Sequence, residues 1–415
     1  MRRGTKNVLS LWRSKDDIIG TMPISGPDNQ GGRCGMKTIL RTGLLMLWVV
    51  SGLVTAAVPV FAQDAKAEAK AHEAALKKAP LFPKKGVWIQ GKPRKKNFYE
   101  DKLTLVYFWD YTTINCIREF AYLKKWYETY HPYGFEIIMV HAPEFDFAKD
   151  RKNIERAVQR AKLTYPVYLD NDGTLWETYD NGSWPSKHLV DNKGKILYSQ
   201  VGEGNYIELE EEIRKGIQKV NPEAALPERA VRADQDRFNL WDCGEMSTEI
   251  YVGYKRAGWW GVEIANLPGA REDETVRFED EGRRLERGFF LSGLWTNHEE
   301  YFEHAEDAAE DSASLGIIYL GREAYAVLNQ FVEGKSSRVY IRRDDQPVPA
   351  AQRGADIQED EAGNTYVMVD SARLYYLIAN EDDEFHELKL MVRDNKLAVY
   401  VFAFSNRCLT EFDHL

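Results

Sequence analysis

Apolar residues in the first half of the chain occur alternately in short continuous runs and in helical repeats. Leu103–Trp109 is an almost unbroken apolar run, which is typical of a buried strand. Ile114–His131 follows with apolar residues three and four positions apart, which predicts a helix. Phe135–Val140 repeats the strand pattern, and Ala148–Leu163 has the pattern of an amphipathic helix. This order predicts parallel strands joined by helices.

The same rhythm continues for about 60 residues. The predicted elements are a strand, a short helix, a two-stranded hairpin and a last helix, at Tyr165–Leu169, Thr174–Tyr179, His188–Val190, Ile196–Val201 and Tyr206–Val220. The residues Asp191-Asn192-Lys193-Gly194 form the predicted hairpin turn. We therefore predict an α/β domain with one mixed sheet and helices on both faces.

In the second half the helical periodicity fades, after a charged segment at 221–240 that contains two prolines. Short β-rich runs separated by Gly, Asp and Asn take its place, among them Thr248–Tyr254, Gly288–Ser292, Ser314–Tyr319, Ala324–Asn329, Val339–Arg342, Thr365–Val369, Leu374–Ala379, His386–Val392 and Ala398–Phe404. Many short strands at this spacing predict an all-β, jelly-roll-like antiparallel sandwich.

The amino-terminal segment has the pattern of a secretory signal peptide. A short basic stretch precedes the apolar run Leu44–Phe61, and the small residues of Val60-Phe61-Ala62 predict cleavage after Ala62. The alternative is a signal anchor that is not cut, and Met36 is an alternative start. We expect a periplasmic or otherwise exported protein, without a stable membrane span after cleavage.

The predicted organisation has five parts. They are a leader (1–62), a linker (63–85), the α/β domain (86–222), a second linker (223–240) and the sandwich (241–409). Without the leader, 47 basic and 62 acidic residues remain, so the net charge changes from −10 for the whole chain to −15. Such a surface repels nucleic acid, which we do not expect as a partner.

A single cysteine lies where a strand runs into a helix. The first strand ends in Phe108-Trp109, Cys116 opens the helix, and Ser183-Trp184-Pro185 precedes a later strand. Together with VHAPEFDFAKD and WPSKHLVDNKGKI, starting at Val140 and Trp184, this layout resembles the TlpA/DipZ-like thiol-disulfide oxidoreductases. The resemblance covers the whole first domain and implies a thioredoxin-like fold.

In that family two cysteines in a C-x-x-C motif exchange disulfides at the start of a helix. The resemblance assigns Cys116 to the resolving cysteine and places Thr113 at the position of the nucleophile. A threonine hydroxyl has too high a pKa for ordinary dithiol exchange. Tyr107 stands where a buried acid often lies, and Trp184-Pro185 matches the family's cis-proline segment.

Three hypotheses follow for this site. The first is monothiol redox chemistry, in which Thr113 donates a hydrogen bond to a Cys116 thiolate at the helix start. The second is a peroxiredoxin-like peroxidase, although Trp109 replaces the expected proline and Lys187 is the nearest cation. The third is a non-catalytic scaffold in which Cys116 is a buried remnant. His141 and Glu144 border the site, either as acid/base groups or as loop anchors.

The second domain resembles the carbohydrate-binding-like sandwich that follows the thioredoxin domain in DipZ-like proteins. The motifs are EIYVGYKRAG, FLSGLWT and SARLYYLI. Sugars stack on exposed aromatic rings, so Trp259, Trp260 and Trp295 are candidate glycan contacts. Strand alternation would turn at least one of the Trp259-Trp260 pair inward.

The cysteines and histidines limit the chemistry further. Three cysteines follow the leader, and the simplest pairing is a structural disulfide between Cys243 and Cys408, which leaves Cys116 unpaired. The eight histidines show no metal-ligand spacing and no glycine-rich phosphate loop is present, so we expect no cofactor. The expected partners are envelope protein thiols or disulfides, or a glycan.

Overall fold

The computed structural model describes residues 76–91, 98–231, 244–309 and 312–406. The leader with its cleavage site after Ala62, and the cysteines Cys243 and Cys408, lie outside the described residues. Export and the Cys243–Cys408 disulfide therefore stay predictions. In the described part of the chain, no helix is long and apolar enough to cross a membrane.

The first domain is α/β, as its periodicity predicted. Its strands are β1 (Val87–Gln90), β2 (Leu103–Trp109), β3 (Phe135–His141), β4 (Val167–Leu169), β5 (Ser186–Val190) and β6 (Ile196–Val201). Its helices are α1 (Ile114–Tyr130), α2 (Arg151–Arg160), α3 (Thr174–Thr178) and α4 (Tyr206–Val220). The sheet order is β1-β4-β3-β2-β5-β6, in which β2, β3 and β4 are parallel and the outer strands antiparallel.

Alternate residues of β2 serve two cores, which explains why the whole strand is apolar. Leu105 and Tyr107 face the core that α1, α2 and α4 cover, whereas Val106 and Phe108 face a smaller core against α3. Ala79 and Phe82 are buried in the smaller core. The packed domain thus begins upstream of residue 86, within the segment that we predicted to be linker.

The second domain is an antiparallel sandwich with two sheets. Its strands are β7 (Ile250–Tyr251), β8 (Glu263–Ile264), β9 (Thr275–Phe278), β10 (Gly288–Asn297), β11 (Phe302–His304), β12 (Ser314–Leu320), β13 (Glu323–Gln330), β14 (Ser337–Arg343), β15 (Gln346–Pro347), β16 (Ile357–Glu359), β17 (Thr365–Val369), β18 (Arg373–Ala379), β19 (Phe385–Val392) and β20 (Leu397–Ser405). The hydrogen-bonded order is β16-β17-β14-β19-β12-β10-β11-β20-β13-β18. The predicted fold class is confirmed for both domains.

Strand β10 belongs to both sheets of the sandwich. Its first half pairs with β12, and its second half pairs with β9. The change occurs at Gly293, whose φ is +90°, a conformation that favours glycine. A Cβ at this position would lie 2.6 Å from the Cβ of Ala313, so a side chain does not fit.

One segment of the sandwich is a helix where the pattern predicted the end of a strand. The predicted strand Thr248–Tyr254 is reduced to β7, and the helix α5 follows at Tyr254–Trp260. Glycines bound α5 on both sides, at the N-cap position and at a left-handed C-cap. The alternation argument for Trp259-Trp260 was therefore wrong.

The outer face of one sandwich sheet packs against the first domain. Ile114 of α1 and Phe145 of the loop after β3 share an apolar cluster with Tyr325, Tyr400 and Val401 of the sandwich. The ring of Phe145 meets the ring of Tyr400 edge-on, with centroids 5.1 Å apart. The covered face of the first domain is the one that carries the start of α1, where Cys116 lies.

Candidate functional site

Cys116 occupies the first turn of α1, immediately after the loop that ends β2. Its backbone amide donates to the carbonyl oxygen of Thr113 at 3.1 Å. The thiol is free and the residue has no exposed surface. Burial disfavours the charged thiolate and raises the pKa of Cys116 well above its ordinary value. This environment is the opposite of that of an exchange-active thiol.

Thr113, at the predicted position of the nucleophile, is the N-cap residue of α1 and is 7% exposed. Its hydroxyl donates to Oε2 of Glu144 at 3.2 Å. A hydroxyl has only one proton to donate, so this proton is not available for the Cys116 sulfur. The hydrogen bond to a thiolate that the monothiol hypothesis invoked is replaced by one to a carboxylate.

Glu144 connects the first domain to the sandwich. Its Oε1 accepts from the hydroxyl of Tyr251 at 2.7 Å and from the guanidinium of Arg256. A second nitrogen of Arg256 donates to the backbone carbonyl of Glu144 at 3.0 Å. The Glu144 carboxylate therefore binds the sandwich to the first domain. The sequence predicted an acid/base group or a loop anchor at this position, and neither role includes a bond to the other domain.

Tyr251 and Arg256 are site residues that the sequence analysis missed. They lie on β7 and α5 within EIYVGYKRAG, a motif whose resemblance indicates only the sandwich fold. An arginine close to an apolar strand is weak evidence for a buried ion pair. Nothing in a single sequence indicates that its partner, Glu144, lies in another domain.

Trp184-Pro185 forms a cis peptide bond before β5. Pro185 is buried, and the indole Nε1 of Trp184 donates to the carbonyl oxygen of Ala142 at 3.0 Å. Ala142 lies in the loop that carries Glu144. The Trp184 ring also packs against Trp176, with centroids 4.6 Å apart. The cis-proline segment is thus tied to the same loop as the docking carboxylate.

A buried ion pair lies behind Cys116. Lys187 of β5 and Glu119 of α1 meet at 2.5 Å, with both side chains at most 2% exposed. Burial raises the pKa of Glu119 to about 7, and the charge of Lys187 opposes this shift. The hydroxyl of Tyr107 is also buried and donates to the Cys116 carbonyl oxygen at 3.3 Å. A buried acid therefore exists here, on α1 rather than at the position of Tyr107.

His141 ends β3 and is fully buried, with its Nε2 atom 3.5 Å from Oδ2 of Asp110. Burial lowers the pKa of His141 to about 3, so the imidazole is neutral near pH 7. Burial, followed by the charge of Glu144, raises the pKa of Asp110 to about 7. Asp110 also accepts from the backbone amide of Glu144 at 2.8 Å. These contacts fix the loop that presents Glu144.

The three candidate glycan contacts do not form one surface. Trp259 and Trp260 are 66% and 53% exposed on α5, so both rings are accessible. Trp295 has no exposed surface, because β10 turns its ring into the sandwich core. It cannot stack on a sugar. Among the described residues, no group of His, Cys, Asp or Glu side chains is placed to hold a metal ion.

Comparisons with known proteins match both halves of the chain. Residues 75–199 match the AhpC/TSA family, and residues 247–405 match a thioredoxin-like C-terminal domain. The thiol-disulfide oxidoreductase ResA of Bacillus thuringiensis subsp. konkukian is 30% identical over 127 residues, which are 31% of this chain and 70% of that protein. The chain belongs to the thioredoxin-like thiol-disulfide oxidoreductase family.

One further relative is similar over a longer stretch of the chain, and one solved structure is similar over about a third of it. Protein DipZ of Mycobacterium tuberculosis is 27% identical over 256 residues, which are 62% of this chain. The chain spans about a third of that protein's length, since the match covers 34% of it. A putative thiol:disulfide interchange protein DsbE from Chlorobium tepidum is a structural neighbour with 20% identity and a TM-score of 0.30, covering 34% of this chain and 99% of that one.

Proposed function

We propose that this chain is an exported, non-catalytic member of the oxidoreductase family, a scaffold whose sandwich occupies the face at which relatives would exchange disulfides. The observation that carries the proposal is the complete burial of Cys116 in the core of the first domain, at the start of the helix whose residue Ile114 packs against the sandwich. The predicted signal peptide supports export. The proposal adopts the third hypothesis from the sequence.

Access is the first argument. Disulfide exchange needs a thiolate that attacks a disulfide sulfur, so both the charged form and an open approach are required. The pKa of Cys116 is raised well above its ordinary value by burial, and the thiol is therefore protonated near pH 7. Ile114, two positions before Cys116, and Phe145 of the loop after β3 pack against the sandwich instead of facing a substrate.

The second argument is the residue at position 113. A threonine in place of the attacking cysteine leaves Cys116 without a partner thiol in its motif. The Thr113 hydroxyl is committed to Glu144, which also binds Tyr251 and Arg256. The position that would attack a substrate disulfide thus supports the domain contact.

Monothiol chemistry remains the second candidate, because Cys116 is a free thiol in the first turn of a helix. It requires the sandwich to move away before the thiol can react. A peroxidase is less well supported, since Lys187, the nearest cation in the sequence argument, is paired with Glu119.

A scaffold also needs a surface for its partner. The exposed rings of Trp259 and Trp260 lie on the sandwich and are the surface that we assign to a glycan or a protein of the envelope. Protein thiols are the partner class that the monothiol candidate would use. The acidic charge of the chain argues against nucleic acid.

An insulin-reduction assay with dithiothreitol tests the proposal. We expect the wild-type protein to give the buffer rate, because its only site cysteine is buried. Thr113→Cys restores the C-x-x-C motif, yet we expect it to stay slow while the sandwich is docked. Combining it with Arg256→Ala, which removes the guanidinium from Glu144, should raise the rate at least tenfold.

Thr113→Ser is the matched control, since it keeps the hydroxyl and adds no thiol. Its rate should equal that of the wild type. Reduction of insulin by the wild-type protein, abolished by Cys116→Ser, would contradict the scaffold proposal and establish monothiol chemistry instead.

A further inference from the structure

The contact between the two domains contains one phenol between two carboxylates. The hydroxyl of Tyr251 lies 2.7 Å from Oε1 of Glu144 and 2.8 Å from Oε2 of Glu249. Glu144 belongs to the first domain, whereas Tyr251 and Glu249 belong to the sandwich. The three groups therefore form a hydrogen-bonded chain across the domain contact.

When both carboxylates are charged, these three groups have too few protons to form both hydrogen bonds. A phenol has one proton and donates to one acceptor only. Burial, followed by the charges of Glu144 and Glu249, raises the pKa of Tyr251 well above its ordinary value, so the phenol keeps its proton. Its second short contact is a hydrogen bond only if the other carboxyl group is protonated and donates to the phenol oxygen.

The surrounding charges decide which carboxyl group holds that proton. Glu144 accepts from the Thr113 hydroxyl at Oε2 and from the Arg256 guanidinium of α5 at Oε1, so both of its oxygens already have donors. Arg118 of α1 also faces Glu249, but it is bound to Glu203 at 2.6 Å. In the described part of the chain, the hydrogen-bond contact of the Glu249 carboxyl group is with the Tyr251 hydroxyl. The proton accordingly belongs on Glu249.

We infer that a proton on Glu249 holds the sandwich against the face of the first domain that carries the start of α1, and that its release to water weakens this contact. With the proton, Glu249 donates to Tyr251 and Tyr251 donates to Glu144. Without it, two carboxylates compete for a single phenol proton and repel each other across the domain contact. The inference rests on the proposed function, because it assigns a regulation to the docked site.

The direction of the pH dependence follows from the raised pKa. Burial of its carboxyl group, and then the charge of Glu144, raise the pKa of Glu249 to about 7, with Tyr251, Arg256 and Arg118 acting in the opposite direction. The docked form is fully stabilised below the ordinary value of 4.5 and loses that contribution as the pH rises through about 7. Between pH 6 and pH 8.5 the ratio of undocked to docked molecules should rise about tenfold.

Amide hydrogen exchange measures this ratio without involving the thiol. The amide of Asp146 donates to Oε2 of Glu300 at 2.9 Å across the contact, so peptides that contain it report on docking. After correction for the intrinsic effect of pH, we expect the protection of these peptides to fall about tenfold from pH 6 to pH 8.5.

Two variants test the assignment to Glu249. Glu249→Gln keeps a side chain that can donate to Tyr251 and cannot ionise, so its protection should be the same at both pH values. Glu245→Gln changes an exposed carboxylate of the same segment and should behave like the wild type. Equal wild-type protection at the two pH values, or a tenfold fall in Glu249→Gln as well, would overturn the inference.

The outcome is separable from that of the insulin assay. If Cys116 proves to be a catalyst while protection depends on Glu249, the proposed function fails and the proton-controlled contact stands. If Cys116 is inert and protection is independent of pH, the contact is permanent and only the inference fails.

Discussion

At the scale of single residues, the strongest electrostatic contact near Cys116 is the ion pair of Lys187 with Glu119, whose side chains are both at most 2% exposed. Cys116 and Thr113 could be placed because a strand, a short loop and a helix start are local features. The ion pair of Lys187 with Glu119 could not, since its members lie 68 positions apart. A lysine in an otherwise apolar strand was visible, but its partner was not.

The buried pair allows a prediction about stability. Lys187→Met removes the cation and leaves Glu119 buried, which should lower the free energy of unfolding by about 3–5 kcal/mol at pH 8.5. The pKa of Glu119, raised to about 7 by burial, should rise further without the lysine, so the loss should be smaller at pH 5.5, where the carboxyl group is protonated. Urea unfolding at the two pH values measures both.

Lys102→Met is the matched control for this prediction. Lys102 pairs with Glu136 at 2.8 Å, but its side chain is 43% exposed. An exposed pair contributes about 0–1 kcal/mol, so this variant should unfold almost like the wild type at either pH. If the free energy of unfolding fell equally in the two variants, the buried pair would stabilise the fold no more than the exposed pair does.

At the scale of elements, period and length gave most of the helices and strands. The bounds of β2, β6 and α4 agree with the predicted ranges, because charged residues, Gly, Asn or Pro flank each of these elements in the sequence. The helix α5 was missed, since seven residues are too few to show a helical period. β10 was predicted only in part, as Gly288–Ser292, because a glycine such as Gly293 is typical of the end of a strand.

The glycine that shortened the predicted strand is where β10 changes sheets. Gly293→Ala should lower the free energy of unfolding by about 1–3 kcal/mol, because the added Cβ meets that of Ala313 and the backbone φ is positive. Thermal or urea unfolding measures the change.

Gly258→Ala is the control of opposite sign. Gly258 lies inside α5, and a Cβ there would meet nothing within 4 Å. Alanine is the better helix former, so this variant should be unchanged or more stable by up to about 1 kcal/mol. If Gly293→Ala were as stable as Gly258→Ala, the change of sheets at β10 would not depend on glycine.

At the scale of the whole molecule, the order of the two domains was predictable and their contact was not. Composition and periodicity separate an α/β half from an all-β half, because each half has its own core. The contact joins Ile114 and Phe145 to strands more than 100 positions away, and no local pattern encodes it. The scaffold proposal rests on this contact together with the burial of Cys116 in the core of the first domain.

Alkylation of Cys116 in the native protein at pH 7, followed by peptide-resolved mass spectrometry, tests this proposal most directly. We expect no labelling by iodoacetamide until denaturant is added, and faster labelling in Arg256→Ala, which loosens the contact over the site. Lys255→Ala, a neighbouring change on α5 that leaves Glu144 untouched, should stay unlabelled like the wild type. Rapid labelling of the wild-type thiol without denaturant would contradict the scaffold proposal, because Cys116 would then be an accessible thiolate.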